Sequence, residues 1–264
     1  PLSKNSFNPE VGGYWQVSDH IALRASMGMG FIPPSPSNLY YENLSNPGNR
    51  TLSNPGLKSE KSFTADVGLD VVFSRIDIGI TPFYTLWQDK VEYTYAVSDA
   101  VTTRRAENIG ESDSKGVEIQ LKGSINDEFG AFFNYTYNRT EITKNNADSS
   151  VVGNDVPDMP GHKFNAGITY EKQNDYSLKV LWRYVGERFL DQDNTDRDAK
   201  GIRWKRNAYH VVDLIAIKRF LFDGFIKGLD LTLSVENLFN LRYDKWFFYR
   251  DPGRVVMLET GFKF

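Results

Sequence analysis

The sequence predicts an all-β fold, an antiparallel transmembrane β-barrel portion, and three observations carry that reading. The chain ends on Phe264 after a segment in which Val256, Leu258, Thr260, Phe262 and Phe264 share one side of an extended strand, while Met257, Glu259 and Lys263 share the other. A tilted strand needs only about 9–11 residues to cross an apolar layer, so alternation that stops on an aromatic fits a closing strand. The same period-two alternation recurs along the chain, and its connections alternate between short turns and long loops.

Taken in order, a first strand lies near 11–17, and Ile21, Leu23, Ala25, Met27, Met29 and Phe31 then alternate with Ala22, Arg24, Ser26 and glycines. Phe63, Ala65, Val67, Leu69, Val71 and Phe73 follow, interleaved with Thr64, Asp66, Gly68 and Asp70. Ile76, Ile78, Ile80, Pro82, Tyr84 and Leu86 form the next apolar row, and Pro82 is its weak point because it cannot donate to a ladder. Val117, Ile119 and Leu121 alternate with Glu118, Gln120 and Lys122; Phe129, Ala131, Phe133, Tyr135 and Tyr137 come next, with Phe132 breaking the pattern. Then come Phe164 to Tyr170, Tyr176 to Tyr184, a less clean stretch from His210 to Arg219, the row Leu229, Leu231, Leu233 and Val235, and the terminal strand.

Short turns are expected at Ser18-Asp19, Ser74-Arg75, Asn126-Asp127, 173–175 and Asp223-Gly224. Long loops cover 32–59, 143–160, 191–207 and 240–252, and the hairpin at Ser98-Asp99 rises on extended arms. Short turns on one rim and long loops on the other are the asymmetry of periplasmic turns and extracellular loops in bacterial barrels. A soluble β-sandwich or propeller fragment predicts comparable loops at both ends. The count comes to about eleven strands. With an odd number the first and last would lie parallel on closure, and an open edge in lipid is not viable, so further strands are expected upstream.

Composition narrows the function classes. With 31 basic and 34 acidic residues mixed along the chain, net charge −3, no basic footprint for nucleic acid exists. The absence of cysteine removes disulfides and thiolate metal sites, and His20, His162 and His210 are scattered. Negative mean hydropathy suits a barrel with a polar lumen as well as it suits a soluble protein, because only alternate side chains meet lipid. Asp191, Asp193, Asp196 and Asp198 lack the glycine turn and terminal glutamate of a calcium loop and read as a solvated acidic loop. No serine or aspartate is paired with a placed histidine, so the chain reads as no enzyme.

Four local patterns resemble one family. Asn54-Pro55-Gly56-Leu57-Lys58-Ser59-Glu60 enters a strand; Asn108-Ile109-Gly110 is followed by Lys115-Gly116-Val117-Glu118; Val235-Glu236-Asn237-Leu238-Phe239-Asn240 precedes Tyr243; and Pro252-Gly253-Arg254 leads into the terminal strand. In this order and spacing they resemble the C-terminal part of a TonB-dependent outer-membrane receptor, with Ser59 where that family usually has proline. The resemblance implies a barrel of about 22 strands, filled by a plug and taking up a scarce nutrient chelate such as a ferric siderophore, haem or cobalamin with energy relayed through TonB. Residues 1–264 would then be the C-terminal part of the barrel, about half of its strands, with the plug, the remaining strands and the TonB-coupling segment expected upstream. A passive porin or adhesin-like barrel is the alternative, and no cofactor is implied. The setting is the cell outer membrane, with its lipid and lipopolysaccharide as partners.

Under that topology several aromatic and basic residues become ligand-binding candidates at the loops and lumen: Tyr40, Tyr41, Arg104, Arg105, Trp204 and Arg206, with Arg203 and Lys205 beside them, Trp246, Tyr249 and Arg250. Rings with guanidinium groups suit an anionic, ring-bearing chelate; girdle packing and lipopolysaccharide contact are the alternative uses. Charged residues on the polar side of the strands, Asp66, Asp70, Glu118, Lys122, Lys179, Arg183 and Glu236, are expected to bond to each other, to water or to a plug. Phe262 and Phe264 are the expected closing and assembly signal.

Overall fold

The computed structural model describes residues 7–45, 48–98, 101–173, 175–197, 199, 201, 203–246 and 249–264, with the backbone alone at 95–98, 102, 245, 246, 249 and 250. The tip at Asp99 and the turn residue Asn174 fall outside them. In chain order the elements are β1 (Glu10–Ser18), β2 (Ile21–Ile32), α1 (Pro36–Tyr40), β3 (Asn49–Leu52), β4 (Glu60–Val72), β5 (Ile76–Ser98), β6 (Val101–Ser124) and β7 (Phe129–Asn145). A 3-10 turn (Ser149–Val151) leads to β8 (His162–Lys172), β9 (Tyr176–Val185), β10 (Arg188–Phe189), β11 (Lys205–Arg206), β12 (Tyr209–Leu221), β13 (Gly228–Glu236), β14 (Asp244–Trp246), β15 (Tyr249–Arg250) and β16 (Val255–Lys263).

One continuous sheet runs β1-β2-β4-β5-β6-β7-β8-β9-β12-β13-β16, each strand antiparallel to the next in sequence along the wall. Eleven strands along the path match the count read from alternation. Register aligns the apolar faces: Trp15, Leu23, Leu69, Ile80, Ile119, Tyr135, Phe164 and Tyr184 lie opposite one another in a single row. This row is exposed or only partly covered, as are Met27, Val67, Ile168, Val180, Trp182 and Leu258. A sandwich would bury such a face beneath a second sheet. Here the apolar face is turned outward and the charged face inward, the arrangement of a wall in lipid.

Aromatic rings mark the height of the apolar layer. Phe129, Tyr170 and Tyr176 touch at the short-turn rim. Near the long-loop rim Tyr137 packs on His162, and Tyr135 donates to or accepts from His162 Nδ1 at 2.8 Å. Phe129 and Tyr137 are eight positions apart on β7, about 26 Å along a strand, close to the height of such a band. Pro82 sits within β5 paired with Val117 of β6, while the ladder to β4 is interrupted between Asp66–Phe83 and Leu69–Ile80. The residue that cannot donate therefore stands where no bond is asked of it.

The stretch at β12 is apolar on both faces. Val212, Leu214 and Ala216 face outward opposite Trp182, Val180 and Leu178, and Val211, Ile215 and Ile217 face the lumen. Lys218 is on the outward face at the short-turn rim, where its ammonium bonds Asp175. On the inner face Arg24 binds Asp70 at 3.0 Å and Thr81 Oγ1 at 2.8 Å, Ser26 Oγ donates to Asp66, and Arg183 meets Asp213 at 3.4 Å. Among the described residues Glu118, Lys122, Lys179 and Glu236 make no ion pair within 4.0 Å.

Candidate functional site

Beyond the long-loop rim β5 and β6 continue as a two-stranded arm, and the loop 32–59 is tied to it. A proline at the start of α1 and the Ser35 side chain, which accepts from Asn38 N, begin the helix. Leu39, Leu57 and Ala106 then form a small buried cluster against Val91. Asn54 Oδ1 accepts from Gly56 N at 3.1 Å, closing the turn that points Leu57 inward, and Asn54 Nδ2 donates to Ala106 O at 2.8 Å. The strand β3 adds parallel to β6.

This packing decides where the first four candidate residues go. Tyr40 and Tyr41 are exposed at the end of α1. Arg104 donates to Thr51 Oγ1 at 3.0 Å and lies over the Tyr93 ring at 5.1 Å, while Arg105 pairs with Glu107 at 3.5 Å. The guanidinium groups are thus held by protein partners on the arm.

A second group gathers above β9, β12 and β13. Segments 145–162 and 185–209 are stitched by Asn145 to Gln192 at 3.0 Å and Asp155 N to Asn194 Oδ1 at 2.7 Å. Arg188, buried, pairs with Asp158 at 2.5 Å. β10 and β11 pair, setting Lys205 Nζ 2.7 Å from Glu187 and over the Phe189 ring. The segment after β13 is shaped by Asn237 at φ +51°, whose side chain bonds both N and O of Leu241 and whose N–H donates to Asp213. Asn240 Oδ1 accepts from Arg254 N at 3.0 Å, beside Gly253 at φ +88°, where a Cβ would come within 2.6 Å of that oxygen.

These two segments enclose a cavity of about 280 Å³ lined by Arg203, Lys205, Arg206, Tyr209, Arg242, Tyr243 and Asp244. Tyr209 and Tyr243 stack with centroids 4.1 Å apart and 21° between planes. Arg206 meets Asp244 at 3.2 Å and Arg203 meets Asp196 at 3.3 Å, whereas Arg242 has no ion-pair partner among the described residues. Burial pushes the Tyr243 phenol up, and its hydrogen bond to Asp251 acts in the same direction, so it stays a neutral donor. Of the four lining cations, Arg203, Lys205 and Arg206 are each paired with a carboxylate, and Arg242, without one among the described residues, shares the cavity with the ring pair, a combination that suits an anionic planar ligand.

Of the second group of candidate residues, Arg206 lines this cavity, as do Arg203 and Lys205 on either side of Trp204. Trp204 bonds by its backbone to Leu190 and Asp196 and is outside the lining. Trp246 lies opposite Tyr249, and Asp244 opposite Arg250, in the β14–β15 ribbon; the side chains of Trp246, Tyr249 and Arg250 lie outside the described residues. Sequence reasoning missed Tyr209, Arg242 and Tyr243. The one local signal was the pair Arg242-Tyr243 just after Asn237–Asn240. In the acidic loop Asp191 caps Thr195 N at 2.9 Å and Asp196 binds Arg203, while Asp198 lies outside the described residues. Phe262 is exposed on β16 opposite Leu229, and Phe264 packs on Phe225.

A family model described as TonB dependent receptor-like, beta-barrel, matches residues 1–238. The chain belongs to that family. Among curated relatives, the probable TonB-dependent siderophore receptor PiuA of Acinetobacter baumannii is 26% identical over 171 residues, covering 60% of this chain and 21% of the relative. The ferrienterobactin receptor of Escherichia coli is 23% identical over 252 residues, covering 90% of this chain and 33% of the relative. Among solved structures, the ferric enterobactin receptor PfeA of Pseudomonas aeruginosa superposes with a TM-score of 0.75 at 18% identity, over 97% of this chain and 40% of that one. The ferric citrate transporter FecA gives 0.72 at 18% identity, over 97% of this chain and 37% of that one. The chain therefore spans 21% of the length of PiuA and 33% of that of the ferrienterobactin receptor. As a TonB-dependent receptor barrel portion, it is an integral outer-membrane protein of a transport family and no enzyme.

Proposed function

We propose that this chain supplies the wall and extracellular loops of a TonB-energised importer, and that its cavity at Arg206, Arg242 and the Tyr209–Tyr243 pair receives an anionic ferric siderophore. The observation that carries the reading is Arg242, without a carboxylate partner among the described residues, in one cavity with the stacked Tyr209–Tyr243 pair, which favours a ring-bearing anion over a neutral solute. The word siderophore in the name of PiuA and the word ferrienterobactin in that of the Escherichia coli receptor support it. The outer edges of β1 and β16 carry no partner strand among the described residues, so we place the remaining wall upstream, together with a plug docked on the lumenal charges Glu118, Lys122, Lys179 and Glu236, which make no ion pair among the described residues.

The test uses the full-length receptor that contains this chain. Arg206→Ala and Arg242→Ala should each weaken binding of a ferric tris-catecholate by about tenfold or more while the barrel stays folded. Equal binding in both variants would remove the cavity from the ligand path. Uptake that persists in cells without TonB would replace the importer with a passive porin.

A further inference from the structure

One short turn of the wall differs from the others in what its groups bond. Between β12 and β13 the chain runs Phe222-Asp223-Gly224-Phe225-Ile226-Lys227, closed by Phe222 N donating to Lys227 O at 3.0 Å, while Lys227 N donates to Lys263 O of β16 at 2.7 Å. Every residue of this turn is exposed. Asp223-Gly224 is the one Asp-Gly step in the chain. Neither the Asp223 carboxylate nor the Gly224 N–H has a hydrogen bond or ion pair among the described residues. A Cβ built on Gly224 would meet only Ile226 O, at 3.9 Å, so the space beside its nitrogen is open. At the other aspartates of the short turns one of the two groups is engaged. His20 N, after Asp19, donates to Ser18 Oγ at 3.3 Å; Glu128 N, after Asp127, donates to Asn126 Oδ1 at 2.9 Å; and the Asp175 carboxylate holds Lys218.

A carboxyl one methylene from the backbone and the amide nitrogen of the next residue are the two ends of a five-membered ring. A glycine nitrogen, with no Cβ beside it and a freely turning backbone, is the least hindered nucleophile for closing that ring. We propose that Asp223-Gly224 is a modification site at which the folded protein converts to isoaspartate at the periplasmic rim. Gly224 N bonds to Asp223 Cγ; the bond from Cγ to its hydroxyl breaks, and the hydroxyl leaves with the amide proton as water, giving a succinimide. Water then adds at the Asp223 main-chain carbonyl, whose bond to Gly224 N breaks, and the main chain afterwards runs through Cβ and Cγ. Addition at Cγ instead returns aspartate. One water is lost and one regained, so the step needs no oxidant, reductant or cofactor. The product lengthens the turn by one methylene beside Phe225, which packs on Phe264, and leaves a free α-carboxylate. Nothing in this chemistry depends on the ligand cavity.

The experiment incubates the full-length receptor, folded in lipid vesicles, at neutral pH and body temperature beside a synthetic peptide of residues 220–227. Peptide mapping reads the succinimide as the loss of one water, and a protein-isoaspartate methyltransferase with labelled S-adenosylmethionine reads the new α-carboxylate. Folded wild type should accumulate both at Asp223, at the rate of the free peptide. Asp223→Glu, whose ring would need one more member, and Gly224→Val, whose branched side chain crowds the nitrogen, should lose the label at this turn while the barrel keeps its yield. A folded turn that reacts about tenfold more slowly than the peptide, its barrier raised by the fold, overturns the proposal. Wild type without label overturns it too, as does label of wild-type strength at this turn in either variant.

Discussion

The side-chain amide of Asn108 pairs with the backbone of Lys58 at both ends, its Oδ1 accepting from Lys58 N at 2.8 Å and its Nδ2 donating to Lys58 O at 3.0 Å. The same Nδ2 donates to Asp89 O at 2.7 Å, at a residue of φ +55° where the β5–β6 ladder shifts register. One side chain thus joins a loop, a bulge and a strand, and two patterns far apart in sequence, Asn54–Glu60 and Asn108–Gly110, meet in space.

Asn108→Ala leaves three backbone groups without that partner, a local cost of about 1–3 kcal/mol for partly covered groups. Opening of segment 32–59 should become easier while the wall stays intact. Limited proteolysis of the folded receptor checks this: cleavage within 32–59 should accelerate, and an unchanged rate would show the pairing to be idle.

Glycine notches on the lumenal face make a second prediction. Phe132 of β7 lies across Gly167 of β8, and Phe83 of β5 lies across Gly116 of β6. An added Cβ at Gly167 would come within 2.3 Å of Phe132 Cε1, a side-chain atom, with Leu181 Cδ2 at 3.0 Å. At Gly116 it would come within 2.0 Å of Tyr137 O, a backbone atom. Gly167→Ala should cost about 1–3 kcal/mol and recover most of it beside Phe132→Ala. Gly116→Ala should gain little from Phe83→Ala. Urea unfolding in lipid vesicles reads both cycles, and equal rescue at the two sites would contradict the distinction.

The wall was legible because lipid on one side and a polar lumen on the other force a period of two on every strand. Phe132 and β12 were hard to read because their lumenal positions carry Phe132, Ile215 and Ile217, so apolarity no longer marks the face. The polar residues Asn49, Arg50 and Thr51 gave no alternation, and β3 forms by pairing along the arm. The cavity was legible at Arg203, Lys205 and Arg206, the basic residues around Trp204. Its ring pair joins Tyr209 to Tyr243 across two loops, and no local pattern encodes an approach set by Asn237, Asn240 and the turns between them.

Acid should act on the β8–β9 turn. Asp175 accepts from Lys218 and lies 3.8 Å from Lys172. The hydrogen bond from Lys218 holds its carboxyl below the ordinary 3.8, burial opposes this, and the charges of Lys218 and Lys172 add to the lowering. A carboxylate depressed in the folded state contributes stability that is complete above the unfolded value and is lost as pH falls through the folded one. Wild type should therefore lose stability below about pH 4 more steeply than Asp175→Asn, with the two slopes parallel above about pH 5. Vesicle unfolding across this range tests it, and parallel slopes throughout would remove the pair from the acid response.

The terminal aromatic yields a prediction with two separable causes. Phe264 packs on Phe225 with centroids 5.4 Å apart, and Lys227 N donates to Lys263 O at 2.7 Å, yet both rings are largely exposed. Such a pair is worth about 0.5–1.5 kcal/mol, too little to govern closure of a wall whose every strand is hydrogen-bonded along its length. We propose that Phe264 serves assembly in cells, so deleting it should lower barrel yield there and leave spontaneous refolding into vesicles nearly unchanged. Phe225→Ala, which removes the same contact while keeping the chain end, should assemble normally in both settings. An equal defect of the two variants in cells and in vesicles would assign the role of Phe264 to the folded ring pair, and the terminal strand would then act through packing alone.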